Sequence, residues 1–287
     1  MGSRAALAER EGAMWRETGQ DGVPVLRFDR VSVSFDEVRA LNDVSFRVYA
    51  GESRVILGAA GSGKTVLLKT ALGLIKPDSG RVWVFGQDIT EMPESELFAI
   101  RARIGVLFQE GGLFDSLTVE ENVGYPLENQ PSLRCPPDER RRRVEEALRF
   151  VELEHTLEKY PSELSGGMRR RVGIARAVVT EPELVLYDSP TAGLDPITAY
   201  TIIALIVKER DLRNITTIMV THRYQDAHFL AGFRWDPATG RLVPAPAGQT
   251  RTRFMVLREG RLAFEGTRAE LEASRDPYLM KFVRREG

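Results

Sequence analysis

The chain has 287 residues, 43% of them hydrophobic and 28% charged, enough to bury a sizeable core in one large domain or one domain with appendages. With 40 basic and 41 acidic residues the formal charge is −1, so no global bias points to nucleic acid or anionic lipid as a partner. The single cysteine, Cys135, excludes an intrachain disulfide, no Cys/His spacing suits zinc, and no apolar run approaches the ~18 residues of a membrane-spanning helix.

Residues 1–22 are mixed and polar, lack a secretory apolar core, and read as a flexible leader. Val25–Phe28 and Val31–Phe35 alternate as two strands, and Val44–Val48 follows as another. Arg54-Val55-Ile56-Leu57 is a near-continuous apolar run, as a buried parallel strand requires. It enters a Gly-rich loop and then a helix from about Lys64 to Ile75; a turn at Pro77–Gly80 leads to a strand at Arg81–Phe85. Ile104–Phe108 is a further buried strand. A helical section from about Thr118 to Thr180 follows, broken at Pro126, Pro131, Pro136-Pro137 and Pro161. Its basic run Arg140–Arg143 is flanked by acids and reads as a solvated helix face. Leu184–Tyr187 and Thr217–Val220 are core strands separated by a helix over Ile197–Arg210. The segment Phe233–Thr252 carries Asp-Pro and Thr-Gly turn pairs between hydrophobics, as a surface hairpin would. Strands at Phe254–Leu257 and Leu262–Phe264 and a terminal helix complete the chain. Alternating strands and helices give an α/β fold with a parallel sheet, the Pro-bounded helical block lying between its two halves.

Gly58-Ala59-Ala60-Gly61-Ser62-Gly63-Lys64-Thr65 is a phosphate-binding loop with Val66 next in the helix. Its glycines let backbone N–H groups converge on an anion, and the helix N-terminus adds positive potential. Lys64 is placed to reach the β- and γ-phosphates, and the Thr65 hydroxyl to ligate Mg²⁺. A Gly-rich turn alone would explain the glycines, but not the strand before them and the helix after. Leu184–Asp188 is a buried strand ending in an acid, which places Asp188 beside that loop to hold Mg²⁺. Leu164-Ser165-Gly166-Gly167-Met168 reads locally as a Ser-capped helix start.

In this order the elements resemble the ATP-binding-cassette (ABC) ATPases. The resemblance covers about Leu26 to Leu271. It implies a phosphate-loop core with a mixed sheet, an antiparallel β subdomain and an inserted helical subdomain. The cassette would span 23–274, with helices at about 112–180, a hairpin insertion at about 233–252 and a tail at 275–287. It implies that Ser165, Gly166 and Gly167 are the signature facing the γ-phosphate of a second subunit. Gln109 matches the metal-touching Q-loop, Asp195 the D-loop, His222 the switch histidine, and Phe35 the aromatic that stacks on adenine. ATP and Mg²⁺ are the implied cofactors. Within the family, Phe108–Val123, Met168 and Ser274–Phe282 resemble ATPases of the bacterial Mla/MCE lipid-transport systems. That implies a homodimer, or a pair with a sibling ATPase, beneath a separate permease on the cytoplasmic face of the membrane. An MCE-domain partner and a phospholipid or other hydrophobic cargo are implied too.

This chain departs from the pattern in three places. Ser189 stands where a Glu usually polarises the attacking water, and a hydroxyl cannot accept a proton near neutral pH as a carboxylate does. Arg223 follows His222 where an acid is common, and the 233–252 segment is additional. A catalytically silent clamp gated by nucleotide binding is therefore a second reading, and an amino-acid importer ATPase is a rival within transport. ABC ATPases of DNA repair or translation are a third class; they usually carry two cassettes or a long coiled coil, which this sequence does not show.

Overall fold

In the computed structural model, which describes residues 22–246 and 249–283, the near-continuous apolar runs pair into one sheet. The expected leader lies outside the described residues except for Gly22, as do residues 247–248 of the insertion and 284–287 of the tail. The sheet comprises Ser53–Gly58 (β3), Ile104–Leu107 (β6), Leu184–Asp188 (β7), Thr216–Thr221 (β8), Thr252–Arg258 (β11) and Arg261–Gly266 (β12). Among the described residues its order is β12-β11-β3-β8-β7-β6, parallel except for the edge strand β12.

A pleat sends successive side chains to opposite faces, so a strand covered on both sides must be apolar throughout. Val55, Leu57, Val185, Tyr187, Met219, Phe254 and Val256 face one core. Their chain neighbours Ile56, Leu184, Leu186, Ile218, Val220, Met255 and Leu257 face the other. Each such burial contributes about 1.5–3 kcal/mol. The second core is closed by an antiparallel sheet of Val38–Val48 (β2), Leu26–Phe35 (β1), Ser79–Val84 (β4) and Gln87–Asp88 (β5). Helices Lys64–Ala71 (α1) and Glu94–Arg101 (α2) add Leu67, Leu68, Leu97 and Ile100 to it. The first core is covered by Val119–Asn129 (α3), Pro137–Phe150 (α4), Gly166–Val178 (α5), Pro196–Arg213 (α6) and Tyr224–Gly232 (α7). Arg268–Glu272 (α8) and Pro277–Val283 (α9) finish that face with Leu271, Leu279 and Phe282.

Three local expectations are corrected. The two strands expected at Val25–Phe28 and Val31–Phe35 are one strand, kinked where Arg30 takes φ 52° and the register with β2 shifts. The helix from Lys64 ends at Ala71 rather than Ile75. Gly73 takes φ 65°, the Leu74 N–H bonds Lys69 O at 2.9 Å, and the Gly73 N–H bonds Thr70 O at 3.0 Å, a stop that glycine makes cheaply. Pro126 lies inside α3 without breaking it, and Gln130 N–H still reaches Pro126 O at 3.2 Å. An interior proline costs roughly 3 kcal/mol. Burial of Val119, Val123 and Leu127, and the buried Asn122 amide donating to the carbonyls of Phe114, Leu117 and Thr118, offset it. Pro131, Pro137 and Pro161 each open a helical turn, where the missing N–H is harmless.

Gly105 sets the spacing of α5 from the sheet: a Cβ there would lie 2.1 Å from Ala177 O. The basic run on α4 is paired along its own helix, Arg141 with Glu145, Arg142 with Glu146 and Arg143 with Glu139. Phe233–Asp236 (β9) and Arg241–Pro244 (β10) form an antiparallel hairpin beside α6, where Trp235 N–H donates to Asp211 Oδ2 at 2.7 Å.

Candidate nucleotide-binding site

Parallel pairing brings the carboxyl ends of four strands into one row. Leu57 pairs with Thr221, Asp188 with Val220, and Leu107 with Tyr187, so Gly58, His222, Asp188 and Gln109 all emerge at the same sheet edge. Ligands of open α/β sheets collect at that edge.

The loop between β3 and α1 turns through Gly61 (φ 75°) and Gly63 (φ 98°). At Gly63 a side chain is excluded twice, by the left-handed backbone and by Ala40 O, which a Cβ would approach to 2.3 Å. Ser62 N–H bonds Ala59 O at 3.2 Å, and Leu67 N–H bonds Gly63 O at 2.9 Å as α1 begins. Lys64 folds back over this loop: its Nζ donates to Gly58 O and Ala59 O, each at 2.8 Å, and to Ser62 Oγ at 3.4 Å. Burial pushes the Lys64 ammonium pKa down, and the Asp188 charge opposes that shift. The cradle contains a cation held by weak backbone acceptors, a suitable seat for phosphate oxygens.

Thr65 Oγ1 donates to Asp188 Oδ2 at 2.9 Å, and Ser189 Oγ donates to Asp188 Oδ1 at 3.1 Å. A hydroxyl and one carboxylate suit Mg²⁺, which takes oxygen ligands and keeps several from water and substrate phosphate. No cluster of three or more His, Cys, Asp or Glu that could hold a metal occurs among the described residues. Ser189 has φ 49°, and its N–H bonds Val220 O at 2.9 Å. His222 is exposed in the turn between β8 and α7.

The remaining predicted residues lie around this centre or apart from it. Phe35 is 48% exposed at the end of β1, paired with Val38 of the β2 strand whose Ala40 abuts Gly63. Gln109 is exposed and opens a 3-10 turn over Gln109–Gly111. Ser165 caps α5, its Oγ accepting Met168 N–H at 3.2 Å, and Asp195 caps α6, accepting Ile197 and Thr198 N–H groups at 3.0 Å. Hydrogen bonds from Thr198 hold the Asp195 carboxyl below the usual range. A cleft of about 600 Å³ joins Gln109, Asp115, Gly166, Arg169, Gly193 and Leu194, and no phosphate-loop residue lines it. Of the signature residues, Gly166 lines this cleft.

Sequence reasoning missed two contributors. Tyr278 of α9 accepts Ala59 N–H at 3.5 Å and donates to Leu257 O at 3.0 Å, tying the tail to the base of the phosphate loop. Its capping by Asp276 is legible locally, but nothing local says which strand it meets. Asp226 is buried under the loop that follows Ser189, and only the tertiary structure reveals that.

A sequence model of the family described as "ABC transporter" matches residues 41–192. The chain is 39% identical over 227 residues to a methionine import ATP-binding protein of Bifidobacterium longum, covering 77% of this chain and 56% of that one. It is 35% identical over 266 residues to the "Probable ribonucleotide transport ATP-binding protein mkl" of Mycobacterium tuberculosis, covering 92% and 68%. Of the first relatives it spans only between 54% and 66% of their length. Among solved structures it superposes on a dimeric ATP-binding cassette bound to ADP and phosphate with TM-score 0.71 and 31% identity, covering 84% of this chain and 98% of that chain. A cassette of Clostridium perfringens, part of an ABC transporter complex, gives TM-score 0.71 at 29% identity, covering 91% and 95%. No helix among the described residues is long and apolar enough to cross a membrane. With this fold, this row of strand ends and these matches, the chain belongs to the ABC transporter family as an ATP-binding cassette.

Proposed function

We propose that this chain is the ATP-binding subunit of an ABC transporter, seated on the cytoplasmic face of a membrane beneath a separate permease. The observation that carries the reading is the Lys64, Thr65 and Asp188 arrangement at the shared strand edge. In it Lys64 compensates the β- and γ-phosphates, and Thr65 and Asp188 hold Mg²⁺, which when bound neutralises developing phosphate charge. Phe35 stacks on the adenine, and Gln109 and His222 orient groups at the γ-phosphate. By the resemblance to the family, Ser165–Gly167 serve a second copy's nucleotide, with Asp195 at the junction of the two. Binding closes the pair and hydrolysis reopens it.

Ser189 supports a slow version of this cycle. Its hydroxyl donates to Asp188 Oδ1, and a hydroxyl, unlike the usual carboxylate there, cannot take a proton from water near neutral pH. A long-lived closed dimer follows, which shades into the nucleotide-gated clamp.

The cargo is a finer matter. Lipid transport, with an MCE-domain partner, rests on the resemblance of Phe108–Val123 and the tail. The names of the relatives, methionine import and ribonucleotide transport, favour a polar cargo instead, and an amino-acid importer is the second reading they support. Scintillation assays of reconstituted permease with labelled phospholipid and labelled methionine separate the two.

For permease docking, the surface from Gly111 to Pro126 is the candidate. Phe114 and Tyr125 are 42% and 37% exposed with ring centroids 4.6 Å apart, and Arg176 donates to the carbonyls of Gly111 and Gly112 beneath them. An exposed acid, Asp115, sits beside the pair. Asp115→Arg should cut co-purification with the permease on the order of 100-fold, since reversing a charge that a partner complements costs several kcal/mol, while ATP binding stays intact. Wild-type recovery of the complex would show that this face packs only on its own domain.

A further inference from the structure

Asp226 is 2% exposed in the first turn of α7, and Thr191 and Thr221 are each 1% exposed. Its Oδ2 accepts the Thr191 hydroxyl and, at 3.0 Å, the Thr221 hydroxyl. The nearest cationic contact, Arg223 Nε, is 3.8 Å from Oδ1. Burial pushes the Asp226 carboxyl up, and the two threonine hydroxyls and Arg223 oppose it. A carboxylate kept in such a place is costly unless every bond to it is used.

Its bonds join two loops. Thr221 closes β8, and its oxygen also accepts Arg223 N–H at 3.0 Å, which fixes the turn presenting His222. Thr191 belongs to the loop from Ser189 to Asp195, where Leu194 N–H bonds Thr191 O at 3.2 Å. The next residue, Ala192, accepts Arg170 of α5 at 2.9 Å, and α5 begins at the Ser165 cap. A continuous polar chain thus runs from the signature helix through Ala192, Thr191, Asp226 and Thr221 to the His222 turn. We propose that Asp226 is a positioning residue that couples the Ser165–Gly167 end of a subunit to its own His222. The inference rests on the dimer reading above: since Ser165–Gly167 face the second copy's nucleotide, this chain of bonds links the two sites.

Thr191→Val removes one hydroxyl at constant volume, Thr191→Ser keeps it, and Asp226→Asn keeps the shape without the charge. Steady-state turnover against ATP concentration is the readout, with ATP affinity by calorimetry and melting temperature alongside. Thr191→Val and Asp226→Asn should each lower kcat on the order of tenfold and bring the Hill coefficient toward one, with affinity unchanged. Thr191→Ser should restore both, and the double variant should be no slower than the slower single, because both act through one bond. Wild-type kinetics in both variants, additive losses, or a Thr191→Ser as slow as Thr191→Val would overturn the proposal. Wild-type protein that binds no Mg-ATP, seen by calorimetry ahead of the variants, would instead sink the underlying reading and the coupling with it.

Discussion

Calorimetry on the wild-type protein should give Mg-ATP binding in the micromolar-to-millimolar range, and Lys64→Ala should weaken it roughly 10- to 100-fold, the worth of a lost hydrogen bond to a charged group. The structure says why the effect is large. Lys64 Nζ already lies inside the loop, bound to Gly58 O and Ala59 O at 2.8 Å, so removing it leaves those carbonyls facing phosphate oxygens of the same sign. Lys64 also ties Gly58 O, Ala59 O and Ser62 Oγ together in the free protein, so the melting temperature should fall modestly as well. Unchanged affinity would place the nucleotide elsewhere.

Ser189→Glu should raise turnover by about 10²-fold with little change in ATP affinity, because a positioned general base is worth roughly 10²–10⁴ in rate. Ser189 sits at φ 49°, but serine and glutamate both carry a Cβ, so the exchange adds no backbone strain. What is lost is the hydroxyl bond to Asp188 Oδ1; what is gained is a carboxylate beside the edge where Lys64 and Thr65 wait. Asp188 already accepts the Thr65 hydroxyl, and in the proposed site it would be committed to Mg²⁺ rather than serve as the base. Vigorous turnover by the wild-type chain, unimproved by Ser189→Glu, would show that the proton goes to another group.

Much of the fold and of the site is legible in the amino-acid sequence. The apolar runs at Arg54–Leu57 and Leu184–Tyr187 specify strands buried on both faces, and once those are parallel, Gly58 and Asp188 must share an edge. The Ser165 and Asp195 caps are equally readable, because a cap is a bond within four residues. Longer-range balances are not. Pro126 reads as a break until one knows that α3 buries Val119, Val123 and Leu127 against neighbouring helices. The kink at Arg30 depends on register with β2, and the bond from Ala59 to Tyr278 spans most of the chain. Asp226 looks like an ordinary acid in a helical first turn until Thr191 and Thr221 are brought to it.

The central claim is that Mg-ATP joins two copies of this chain, each supplying Ser165–Gly167 to the other's phosphate loop. Light scattering with and without Mg-ATP tests it most directly. The wild-type protein should shift from monomer to dimer on adding Mg-ATP. Ser165→Arg, which puts bulk and positive charge opposite Lys64, should bind ATP and stay monomeric. The same ATP-dependent dimer in Ser165→Arg would contradict the account.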